Sequence, residues 1–100
     1  MKRIPMKFGL VALVAMLALP ASAECYADYK ASRDNPLKLH FGVIELPDRA
    51  CESLEAAAPV IARRIAVDGW TLLSVDRIFP AKGLDNEQRR TRAGDFFLRY

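Results

Sequence analysis

Which residues have to fold at all is decided at the start of the chain. Lys2, Arg3 and Lys7 precede an unbroken apolar run from Phe8 to Leu19, followed by Pro20 and the small-residue exit Ala21-Ser22-Ala23. A cationic start, a short apolar middle and small residues at the exit, in this order, form a secretory signal peptide cleaved after Ala23. The apolar run makes about 18 Å of helix. A bilayer core is about 30 Å thick and needs about 20 residues, and Pro20 opposes extending the run. Glu24 stands directly before Cys25, where a lipoprotein signal would carry a small residue. The expectation is a cleaved leader over residues 1–23 and a single small domain over residues 24–100. The mature protein is expected to be periplasmic or secreted, with no membrane anchor.

Removing the leader changes the electrostatics. The whole chain carries a formal charge of +3, and three of its cations lie in the leader. From Glu24 onward, 12 Lys and Arg balance 12 Asp and Glu. A neutral domain lacks the general field that draws proteins to nucleic acid or anionic membranes. No nucleic-acid partner is expected.

The mature residues hold two cysteines, Cys25 and Cys51. In an oxidising compartment such a pair reads as a disulfide. Its spacing is not that of a Cys-x-x-Cys redox motif.

Several elements can be read from local pattern. Cys25 to Lys30 reads as a short strand, and Arg33-Asp-Asn-Pro36 carries turn chemistry. In the next strand Leu37, Leu39, Phe41 and Val43 alternate with Lys38, His40, Gly42 and Ile44, giving an apolar face and a mostly polar one. Asp48 is the expected N-cap of a helix, with Glu52 and Glu55 near its start and Arg63 and Arg64 near its end. Cys51, Leu54, Ala58, Ile61 and Ile65 form an apolar stripe in that helix. Pro59 lies within the stripe and predicts a kink, and Gly69 predicts a left-handed cap. Trp70 to Phe79 reads as a long strand, residues 84–93 as a loop or short helix, and residues 95–100 as a closing strand. The predicted architecture is α+β: a small antiparallel sheet in the order β-β-α-β-β, one kinked helix on one face, and one disulfide.

The Gly69-Trp70 step into Thr-Leu-Leu-Ser-Val75 and the closing Phe96-Phe97-Leu98-Arg99 resemble the small domain-of-unknown-function family 4177. The resemblance spans residues 39–100. It implies a small sheet with one packed helix, and it supplies no catalytic residues. The leader, the strand at residues 25–30 and Pro59 depart from the family's pattern.

The chemistry-bearing residues are sparse. His40 is the one histidine, and a lone histidine is a single metal ligand where three or four are needed. Its place on the polar strand face predicts a surface or half-buried side chain. Ser32, Ser53 and Ser74 sit in no nucleophile motif, and phosphate-loop, dinucleotide and zinc patterns are missing. Arg89, Arg90 and Arg92 are interleaved with acids and read as a solvated segment. No catalytic residue, cofactor or metal is assigned. An enzyme centred on His40 is the contrasting reading.

The long strand is apolar on both sides: Trp70, Leu72 and Ile78 alternate with Leu73, Val75 and Phe79. One helix covers one face of a sheet, and the second face of an open antiparallel sheet is normally polar. Three covers remain open for it, a second copy, another protein, or residues 84–93 folding back, and the remaining alternative is a strand bulge that hides these residues. The expected function is a non-enzymatic protein-interaction module using Leu73, Val75, Phe79 and Phe97. An inhibitor or accessory factor of an envelope enzyme is the alternative.

Overall fold

A computed structural model describes residues 24–100, and the leader expected over residues 1–23 lies outside the described residues. Strand β1 (Cys25–Arg33) turns back into β2 (Lys38–Leu46). A 3-10 turn over Asp48–Cys51 leads to helix α1 (Leu54–Ile65). Strand β3 (Thr71–Pro80) and a short helix α2 (Glu87–Ala93) complete the order. The sheet runs β2-β1-β3 and is antiparallel throughout. The fold is α+β with one disulfide, as the pattern predicts.

Helix α1 begins later than its charge pattern suggests. Asp48 belongs to the separate 3-10 turn, and Ser53 is the cap, its side-chain oxygen accepting a 2.9 Å bond from the Ala56 N–H. The helix runs through Pro59. Its buried positions are Ala57, Val60, Ile61 and Ile65. That stripe is rotated from the predicted one, so Leu54 is exposed and Cys51 lies outside the helix. A further 3-10 turn over Ala66–Asp68 ends at Gly69, with φ +82°. There the Gly69 N–H donates to Ala66 and the Trp70 N–H to Ile65, the bond pair of a Schellman cap.

Two irregularities in β3 decide which side chains face α1. The pairing with β1 skips Leu73 and Asp76. Each skipped residue is a β-bulge, which shifts the two-residue alternation by one. Leu72, Val75 and Ile78, spaced by three, therefore all pack with Ala27, Tyr29, Ala31, Ile44 and the α1 stripe. Strict alternation wrongly placed Val75 on the second face.

The second face is covered locally over one half. Tyr26, Val43 and Phe79 are buried there under Ala93 of α2, with Leu84 and Phe97 packed alongside. Of the three covers considered, residues 84–93 supply this one. The closing strand expected over residues 95–100 does not form. Gly94–Phe96 is a 3-10 turn, Phe97 makes one parallel bridge to Val43, and Leu98 leaves the β region with φ +58°.

Candidate functional site

The alternating strand turns its faces opposite to expectation. On β2, His40, Ile44 and Leu46 are buried, and His40 and Ile44 pack toward the α1 side. Leu37 and Leu39 are each 66% exposed and Phe41 is 41% exposed. The cause is aromatic packing. Gly42 has no side chain, and the Tyr29 ring fills that space so closely that a Cβ on Gly42 would overlap it. His40 then stacks on Phe96 at 3.6 Å between ring centres and meets Trp70 edge-on at 4.3 Å. A histidine and a glycine thus lie on the buried side of the strand, while Leu37, Leu39 and Phe41 of its apolar row face solvent and Val43 alone of that row is covered.

This placement buries His40 against the core, where a surface or half-buried position is predicted. Its Nε2 lies 3.0 Å from the Tyr29 hydroxyl, and Nδ1 is buried without a partner. Burial, with the Arg33 guanidinium adding to it, lowers the imidazole to about pH 4. Burial also pushes the Tyr29 hydroxyl up. Both groups are neutral at pH 7. The unfolded imidazole, near pH 6.5, binds a proton that the folded one refuses. Stability from this group is therefore complete above about pH 6.5 and falls as pH drops toward 4, by no more than about 1.4 kcal/mol per unit. Urea unfolding at pH 7.0 and 5.5 should show the drop, and His40→Phe should reduce it. Equal pH dependence in both proteins would contradict the buried, neutral assignment.

Leu39 and Phe41 on the outer face of β2, with Leu37 in the turn just before it, lead up to a polar cleft of about 480 Å³. Phe41 is one wall of this cleft. Its floor is an ion pair: Arg89 Nε and Nη2 donate to the two Asp28 oxygens at 2.8 and 3.0 Å. The paired side chains are 8% and 13% exposed. Arg89 also donates to the Gly83 carbonyl at 2.7 Å and lies 3.7 Å over the Phe79 ring. The Asn86 side chain accepts from the Arg89 N–H and so caps the short helix that carries this arginine.

The four residues proposed as one surface are not brought together. Leu73, in a bulge, is exposed, whereas Val75 is half-buried on the α1 side. Phe79 is buried, and Phe97 is half-buried beneath the guanidinium of Arg90 at 5.1 Å. The residues that the alternation reading missed as exposed are Leu37, Leu39 and Phe41. Their signal was present in the sequence as a regular apolar row. What the pattern lacked was the knowledge that aromatic rings claim the other side.

Cys25 and Cys51 form the predicted disulfide. Among the described residues no cluster of three or more His, Cys, Asp or Glu is placed to hold a metal, and no helix is long and apolar enough to cross a membrane. Compared with protein-family models, curated proteins and solved structures, the chain gives no match.

Proposed function

We propose that this is an exported, non-enzymatic module of the cell envelope that binds a partner protein through the open half of its outer sheet face. The observation that carries this reading is the orientation of β2. Helix α2 and the tail cover Val43, Tyr26 and Phe79 on that face and stop short of Leu37, Leu39 and Phe41. Adjacent exposed apolar side chains on a rigid sheet are a common mark of contact surfaces.

The rim of the patch specifies the partner's chemistry. Lys30 and Arg92 stand over the Phe41 ring at 5.8 and 5.6 Å. A matching partner carries apolar groups at the centre of its contact and carboxylates at the edge. His40, buried among rings, is a packing residue in this account rather than a catalytic one.

Position-specific photo-crosslinking in an exporting host tests the reading. A crosslinking residue at Leu39 should give a discrete adduct, which Phe41→Asp in the same chain should remove. The same residue at Val67, 76% exposed on the turn after α1, should give none. An adduct of twice the mature mass would identify the partner as a second copy. No adduct, or equal adducts from both positions, would overturn the proposal.

A further inference from the structure

The cleft beside the apolar row has a charge arrangement that the contact surface alone does not require. Arg77 enters it from β3 and Arg92 from α2. Among the described residues the Arg89–Asp28 contact is the one ion pair, so neither Arg77 nor Arg92 has a carboxylate at ion-pair distance. Asp28 is occupied by Arg89, and Asp76 accepts a 2.7 Å bond from the Ser74 hydroxyl. The lining holds three arginines and two aspartates, a local surplus of one positive charge in a domain whose charges sum to zero.

Resting on the interaction reading above, we propose that this cleft is a carboxylate site, in which Arg77 and Arg92 clamp one acidic side chain of the partner lying across Leu39 and Phe41. A guanidinium presents a planar fork of donors that matches a carboxylate's two oxygens. Two forks on separate elements hold such a group from both sides. Phe41 joins the two features, as the end of the apolar row and as a cleft wall. The anchored Arg89–Asp28 floor keeps the cleft formed before binding, which lowers the ordering cost of association. One surplus charge matches one carboxylate.

The shape favours a partner's side chain over a free metabolite. Small-molecule sites enclose most of their ligand and are mostly apolar. Here Phe41, Asp76, Arg77, Asn86, Gln88 and Arg92 line the cleft and are all exposed. Such a site suits a group delivered by a larger surface that closes over it.

NMR detection of the arginine side-chain N–H groups tests the cleft without the partner. Glutamate capped at both ends is titrated into the oxidised mature protein, with capped glutamine and inorganic phosphate as controls. Capped glutamate should shift the Arg77 and Arg92 signals saturably, with a dissociation constant on the order of 1–10 mM. Arg77→Gln or Arg92→Gln should weaken this at least about fivefold. Equal shifts from capped glutamine, equal affinity for phosphate, or no saturation would overturn the inference. Because this readout does not involve Leu39, a Leu39 adduct with no glutamate binding would leave the interaction module standing and remove the carboxylate site. Glutamate binding without an adduct would do the reverse.

Discussion

Replacing Cys25 and Cys51 together with serine lowers the unfolding free energy by about 3.5 kcal/mol. The cysteines are 26 residues apart. The bond joins the first residue of the central strand β1 to the turn before α1 and encloses the whole β1–β2 hairpin. Without it, the unfolded chain recovers the loop entropy that the closed ring denies it. A domain of this size has about 4–10 kcal/mol in total, so the loss removes a large fraction. Both partners are removed because a single serine would leave a reactive thiol. With a urea slope of about 1 kcal/mol/M, the midpoint should fall by about 3.5 M. A double variant within about 1 kcal/mol of the parent would show that the hairpin and α1 hold without the link.

Arg89→Ala should cost about 3 kcal/mol and loosen the cover of the outer face first. The substitution leaves the Asp28 carboxylate beneath α2 without its two bonds, and it removes the Gly83 contact and the stack on Phe79. An uncompensated charge at such a site is expensive, whereas replacing both partners by apolar groups of similar volume is often neutral. Asp28→Leu with Arg89→Met should therefore recover most of the loss. Amide exchange should rise across residues 84–93 in Arg89→Ala before β1 and β3 lose protection, because α2 is short and its stability comes from docking. Unchanged exchange in that segment would show that the ion pair does not hold the helix down.

Much of the framework was legible in the sequence. The hairpin turn, the disulfide partners, the Gly69 cap and the α+β class follow from local chemistry and from counting cysteines. The misreadings have a shared physical source. Leu72, Val75 and Ile78 recur every three residues, a spacing that a strand can bury on one side only with bulges at Leu73 and Asp76. An assumption of unbroken alternation hid them. On β2, composition named His40 and Gly42 polar, but their ring-stacking and space-giving roles are set by Tyr29, Trp70 and Phe96, which lie 11, 30 and 56 positions from His40 in sequence. The tail resembled a strand by residue type, yet only Phe97 bridges to Val43 before Leu98 turns away. The cleft was least visible, since Asp28 and Arg89 stand 61 residues apart and neither residue type announces a pair.

The proposed export, and the oxidising compartment it implies, underlie both the stability attributed to the disulfide and the kind of partner proposed for the open sheet face. Intact mass of the protein recovered from an exporting host measures both at once. A species beginning at Glu24 and lighter by two hydrogens than its reduced form is the expected result. A full-length species carrying two free thiols would contradict it.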